Sequence, residues 1–226
     1  MKLTDSALKI LKNFSEINNS IYIRANSSLV TVDPQLRIVA DAELEQPFTR
    51  DFAIYNLSEF LGVNSAQSDS DLSLEDDRVV FSTEHSKSTL DYFYSDPTNV
   101  QDAMPTRKKI PTIFTEESII QKFTLSESEL KSIRLNASLL SLTHISFVGS
   151  QDSVKVVVRD LSSRSTQNKY TLNLTSTSSG EYEQTVNMLF ENLKIISDSY
   201  DISLSPTVAH FTGKTTGVQY WIVMEA

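Results

Sequence analysis

The chain has 226 residues, 39% hydrophobic and 9% aromatic, with no cysteine and a net charge of −9. That apolar share is enough for one large core or two smaller ones and excludes general disorder, and the missing cysteine excludes a disulfide framework. No apolar run approaches the roughly 20 residues that cross a bilayer, and Met1-Lys2-Leu3 leads straight into Thr4-Asp5 rather than an apolar secretory segment, so the expected location is the cytoplasm. The charge is unevenly divided: residues 1–105 carry 8 Lys/Arg against 17 Asp/Glu, residues 106–226 carry 12 against 12. Asp69, Asp71, Glu75, Asp76 and Asp77 hold much of the acid and read as an exposed loop from Ser65 to Asp77. Such a balance argues against a surface coated in phosphate contacts, but it permits a local basic face inside an acidic shell.

In chain order, the first element is an amphipathic helix around Leu8 to Lys12. At 100° per residue Ala7, Ile10, Leu11, Phe14 and Ile17 share one side, with Lys9, Lys12, Asn13 and Glu16 opposite. Runs rich in β-branched and aromatic residues predict strands at 20–24, 29–32, 36–40 and 51–55. The segment IYNLSEFL, residues 54–61, predicts a second helix, followed by strands at 77–82 and 88–94. From Ser95 to Pro111 there are three prolines and no clear period, which predicts a connector over about 95–112 between domains 1–105 and 112–226. Ser126-x-x-Glu129 is a capping box opening a third helix that buries Leu130, Ile133, Ala137 and Leu140, with Lys131 and Arg134 on a flank. Strands are expected at 144–148, 154–158, 170–174 and 182–186, then at 200–204, 209–212 and 219–224.

The two halves echo each other. IYNLSEFL returns as VNMLFENL at 186–193, both of the form I/V-x-x-L-x-E-x-L, and Leu8-Lys9-Ile10-Leu11-Lys12 is matched by Leu130-Lys131-Ser132-Ile133-Arg134. Each half reads helix, strands, helix, strands. Basic residues opposite an apolar stripe ordinarily do no more than solvate a helix; their repetition in both halves is what gives them weight.

No constellation for catalysis is visible. His85, His144 and His210 are far apart, without a second ligand at metal spacing, so no metal or other cofactor is expected. The crowded carboxylates lie in the acidic loop rather than as an acid/base pair. Five glycines form no phosphate-cradling loop, Gly149 and Gly213 falling where turns want them, and there is no G-x-S-x-G elbow. Trp221 alternates with Tyr220 and Ile222 as in a terminal strand. An enzyme is not expected.

Several marks resemble the sliding clamps of T-even-type bacteriophages, the processivity factors of their replicative polymerases. They are Met1-Lys2-Leu3 with Leu11-Lys12-Asn13-Phe14-x-x-Ile17-Asn18, Asp51-x-Ala53-Ile54-Tyr55-Asn56-Leu57-x-x-Phe60-Leu61-Gly62, Ser88-Thr89 before Asp96-Pro97, and Tyr220-x-x-Val223-x-Glu225-Ala226. The resemblance implies an α+β fold of two similar DNA-clamp domains, each with antiparallel sheets outside and two helices facing a central channel. IYNLSEFL and VNMLFENL would be the second helix of each pair, held to its sheet by Leu57, Phe60 and Leu61 or by Leu189 and Leu193. Three subunits would close head to tail around duplex DNA and tether the DNA polymerase, in the cytoplasm of an infected bacterial host and with no membrane partner. A clamp loader, and factors of late transcription, are further partners of such clamps.

The implied channel residues are Lys9, Lys12, Lys131 and Arg134, with Lys194 on the fourth helix, where a macrodipole-favoured C-terminal cation is the competing reading. Partner peptides would meet Ile110, Ile113, Val223 and Met224; for the last two, plain strand packing competes strongly. Subunits would join through edge strands 88–94 and 169–175, with Leu90, Tyr92, Tyr170 and Leu172 at the contact. The alternative is a β-rich phage structural or assembly protein, which has no need of basic helices repeated in both halves.

Overall fold

The computed structural model describes residues 1–67, 70–83, 88–150, 153–161, 168–175 and 185–225, so His85 and the expected strand start at Tyr182 lie outside the described residues. The chain divides into two units, Met1–Arg107 and Lys108–Ala226. No helix among the described residues is long and apolar enough to cross a membrane.

The first unit opens with α1 (Asp5–Ile17), capped by the Thr4 hydroxyl, which accepts from the Ala7 N–H at 3.1 Å. Ala7, Ile10, Leu11, Phe14 and Ile17 are buried as their spacing predicts. Burying the last four of these stabilises the unit by about 1.5–3 kcal/mol each, an upper estimate. Asn13 is also buried, against expectation. It flanks the apolar stripe, three residues after Ile10 and four before Ile17, and is drawn in with it. Strands β1 (Ile21–Ile23) and β4 (Phe52–Ile54) pair antiparallel, and β2 (Ser28–Val32) and β3 (Ile38–Glu43) form a hairpin. The Asn56 side chain then caps α2 (Leu57–Ala66), accepting from the Glu59 N–H at 3.1 Å. Leu57 and Phe60 are buried, while Leu61 is only half-buried.

The expected acidic loop is largely ordered structure. It contains the end of α2 and a strand, β5 (Asp71–Leu74), in an antiparallel meander with β6 (Arg78–Ser82) and β7 (Thr89–Phe93). Alternation in Asp71-Leu72-Ser73-Leu74 turns Leu72 into the core and Asp71 outward, while Asp69 lies outside the described residues. Arg78 gathers Glu75 and Asp77 at 3.1 Å and Asp91 at 3.5 Å. Met1 and Leu72 exchange two backbone hydrogen bonds of 2.7 Å, which extends the meander by one residue.

The connector is also more regular than its prolines suggested: a 3-10 turn at Pro97–Asn99 and a helix, α3 (Met104–Ile113). Pro105 sits in the first turn, where no intrahelical N–H is needed, and Pro111 in the last, where it forfeits a single bond. Asp102 accepts from the Met104 N–H at 3.0 Å and pairs with Arg24, and Arg107 pairs with Asp41, so the start of α3 is anchored in the first unit.

The second unit begins with an unexpected strand, β8 (Gln121–Leu125), and continues into α4 (Glu127–Leu139) through the predicted capping box of Ser126 and Glu129. Leu130, Ile133 and Ala137 are buried, but Leu140, expected in the core, is 38% exposed, because it falls at the C-cap where the helix ends. Strands β9 (His144–Gly149), β10 (Ser153–Arg159), β11 (Tyr170–Thr175) and β12 (Thr185–Leu189) form an antiparallel sheet ordered β11-β10-β9-β12. Strands β13 (Tyr200–Leu204), β14 (Val208–Gly213) and β15 (Gln219–Val223) form a meander to which β8 adds beside β13.

VNMLFENL is not a helix. Its first residues belong to β12 and the rest make one 3-10 turn, Phe190–Asn192. Where IYNLSEFL has the capping Asn56, VNMLFENL has Met188, which is fully buried opposite Ile145 and has no side-chain oxygen to cap with. Downstream, the Tyr200 hydroxyl donates to the Ile196 carbonyl at 2.6 Å and the Ile196 N–H donates to Tyr220 Oη at 3.1 Å, so the backbone groups a helix would need are taken. Burial raises the pKa of both tyrosines, keeping the hydroxyls neutral for this work. The order helix, four strands, helical turn, three strands is nonetheless common to the two units, and the sequence echo marks the same place in each.

Candidate nucleic-acid interface

Lys9 and Lys12 stand on the outer face of α1 and Lys131 on that of α4; all three are exposed. Among the described residues none of their side chains has an ion-pair or hydrogen-bonding partner. Arg134 differs. Its guanidinium donates to the Leu193 carbonyl and Ser197 Oγ, each at 3.3 Å, and to the Ile195 carbonyl. Counted from their caps, Lys12 and Arg134 occupy the same position, but the buried stripe of α4 falls one residue later than that of α1. The shift rotates Arg134 toward residues 193–197, where it neutralises carbonyls that no helix satisfies. Lys194 is half-buried and follows the 3-10 turn, so the fourth helix assigned to it does not exist. Arg134→Ala is therefore expected to cost about 2–3 kcal/mol, against no more than about 0.5 kcal/mol for Lys131→Ala; calorimetric unfolding of the two variants would show equal midpoints if Arg134 has no structural role.

Leu135 and Leu139 of α4 were not singled out from the sequence. Leu135 is 56% and Leu139 70% exposed, on the side opposite Leu130, Ile133 and Ala137. The signal was present: an i, i+4 leucine pair off the buried stripe. Since α4 lies across β10 and β11, with Arg134 directed toward the chain after β12, Leu140 falls on the flank toward β11 and Leu139 between that flank and the outer face.

Strands β7 and β11 each lie at the edge of their sheets. Leu90 and Tyr92 face the buried side with Phe81 and Val79, and Tyr170 and Leu172 do so with Val158 and Val156. All four remain half-buried, having a neighbouring strand on one side only. Tyr92 packs its ring edge-on to Phe60 at 5.4 Å and donates to the Asn56 carbonyl at 3.2 Å; burial, then the Glu59 carboxylate, pushes its pKa up to about 12. Exposed Asp91 lies on β7 with exposed Glu59 near Tyr92, and exposed Lys155 and Lys169 stand beside β11.

Of the peptide-contacting candidates, Ile110 and Met224 are core residues, 5% exposed each, and cannot present apolar surface. Ile113 and Val223 are 59% and 42% exposed. Between them in the second unit the sequence reading missed an aromatic cluster: His210 stacks on Trp221 with centroids 4.6 Å apart, and Phe114 meets His210 edge-on at 5.5 Å.

Two units of the same element order, each setting a capped helix beside antiparallel sheets, define the DNA sliding-clamp fold. Among solved structures, the chain matches the proliferating cell nuclear antigen (PCNA) of A. fulgidus, bound to the C-terminal region of FEN-1, with a TM-score of 0.68 at 14% identity, covering 99% of this chain and 97% of that one. It is 27% identical to the sliding clamp of Vibrio phage KVP40 over 100% of both chains, and 26% identical to that of Escherichia phage RB69 over 100% of this chain and 97% of that one. No protein-family model matches. By fold and full-length similarity the chain is a DNA sliding clamp similar to those of T4-like phages, and the structural or assembly alternative is not favoured.

Proposed function

We propose that three copies of the chain close head to tail into a ring around duplex DNA and tether a replicative DNA polymerase, without catalysing a reaction, in the cytoplasm of a phage-infected bacterium. The full-length similarity to phage sliding clamps carries this reading. Its two units serve as the clamp domains of each subunit. Subunits join by pairing β7 of one copy with β11 of the next, which covers half-buried Leu90, Tyr92, Tyr170 and Leu172 and sets Glu59 and Asp91 near Lys155 and Lys169. Such a contact is heterologous, and it closes when the rotation per subunit divides the circle. In the same contact Leu139 and Leu140, beside β11, are covered by the neighbouring copy.

Lys9, Lys12 and Lys131 act on DNA by long-range attraction to phosphates rather than by reading bases, which leaves the ring free to slide. Ile113, Val223 and the Phe114–His210–Trp221 cluster offer a seat for the short tails of the polymerase, the clamp loader and late-transcription factors. Light scattering is expected to give three times the 25.4 kDa chain mass. Charge reversal at Lys9, Lys12 and Lys131 is expected to preserve that mass while shortening retention on circular DNA by on the order of tenfold. A monomer at every concentration overturns the ring, and unchanged retention overturns the lysine assignment.

A further inference from the structure

We infer that the first unit supplies most of the grip on DNA, seating the phosphodiester backbone in a cleft between α1 and α2. The inference rests on the encirclement proposed above and concerns which surface of the subunit the duplex meets. The cleft has a volume of about 600 Å³; Leu8 and Leu61 line it, with Lys2 and Lys12 at its rim. Both lysines are exposed and, among the described residues, neither side chain has a partner. Asp5 also lines the cleft, but it sits in the first turn of α1, where the helix dipole offsets its charge. Gly62 leaves the wall open, since a Cβ built there would meet nothing within 4 Å.

An apolar lining between separated lysines suits a sugar-phosphate strand, whose deoxyribose faces are apolar and whose phosphates are anionic. Nothing in this arrangement reads a base, so occupancy does not pin the ring.

The second unit offers less. Among its described residues the counterpart of α2 is a single 3-10 turn, so α4 has no helix beside it to form a matching cleft. Arg134 is committed to carbonyls, and the position of α4 directly opposite its buried stripe is apolar Leu135. Lys131 alone of the α4 cations stands without a partner there. The two basic positions repeated in the sequence are thus unequal in the fold, and the contact recurs once per subunit rather than once per domain.

Photo-crosslinking tests this on the full chain, with a benzoylphenylalanine placed at exposed Ser65 in the cleft or at exposed Ser138 on α4 and a linear duplex as the probe. The Ser65 probe is expected to crosslink severalfold more than the Ser138 probe. Lys2→Gln with Lys12→Gln is expected to flatten the salt dependence of the Ser65 yield by a log–log slope of about 1.8, two phosphate contacts' worth. Equal yields from the two probes overturn the one-sided grip and leave encirclement standing. A Ser65 yield indifferent to the lysine changes overturns the cleft as the seat. No crosslink from either probe in an intact trimer overturns both the inference and the DNA-facing assignment beneath it.

Discussion

Leu139→Glu is expected to break the ring into monomers without unfolding the chain. Leu139 is 70% exposed in the isolated subunit, so folding loses almost no buried apolar surface, and glutamate is a good helix former. In the ring proposed above, the same position lies toward β11, where the next copy would cover it. A carboxylate buried there without a partner costs about 3–5 kcal/mol per contact, which weakens each subunit contact by on the order of 10² to 10⁴-fold. Three contacts close the ring, so the loss is felt at every one. Light scattering should move from trimer to monomer mass while the urea midpoint of the monomer stays in place. Leu36→Glu is the control: Leu36 is 52% exposed in the β2–β3 turn and belongs to neither of the edge strands proposed to pair. If both variants remain trimeric, Leu139 is not at the subunit contact.

Asp198→Ala is expected to destabilise the second unit as strongly as truncation of a core side chain. Asp198 is 3% exposed, and its carboxylate accepts from the Ser199 N–H at 2.7 Å, the Thr216 N–H and hydroxyl at 2.8 Å each, and the Thr215 N–H at 3.1 Å. It thereby fixes the β14–β15 turn against the chain leading into β13. The packing is close enough that a Cβ at Gly213 would lie 2.6 Å from Thr216 Oγ1 and 2.9 Å from Asp198 Oδ2. Alanine leaves those donors without an acceptor, at about 1–3 kcal/mol for each that is buried, for a total on the order of 3–5 kcal/mol.

Burial by itself would raise the Asp198 pKa, but the hydrogen bonds from Thr216, Thr215 and Ser199 outweigh it and hold the carboxyl below the usual carboxylate range. A folded pKa below the unfolded value, about 3.9, gives a contribution fully present at neutral pH and lost as pH falls through the folded value. Urea titrations at neutral pH and below pH 4 should therefore show the gap between wild type and Asp198→Ala narrowing in acid. A gap that is small at neutral pH, or that does not narrow, would show that the turn does not depend on the ionised carboxylate.

Much of this molecule was legible from local pattern. The α1 stripe of Ile10, Leu11, Phe14 and Ile17, the Ser126–Glu129 capping box and most strands follow from periodicity and capping chemistry that involve only near neighbours in sequence. So did the exposure of Lys9, Lys12 and Lys131. The α+β character and the repeated order of elements were also visible, since each half writes its turns and caps in the same succession.

What the sequence could not settle were places where distant groups compete for the same backbone or the same side chain. VNMLFENL has the letters of IYNLSEFL, yet Met188 is claimed by the core opposite β9 and Tyr200 and Tyr220 claim Ile196, so strand and turn replace a helix. Arg134 reads as the partner of Lys12 until residues 193–197 present their carbonyls to it. Leu72 hides a strand within an acidic run because its partners, Phe81 and Met1, are remote in sequence. Local propensity determined which segments could be helix or strand; tertiary structure decided which basic and apolar side chains remain available at the surface, because an unsatisfied buried carbonyl or an empty core position costs more than local propensity returns.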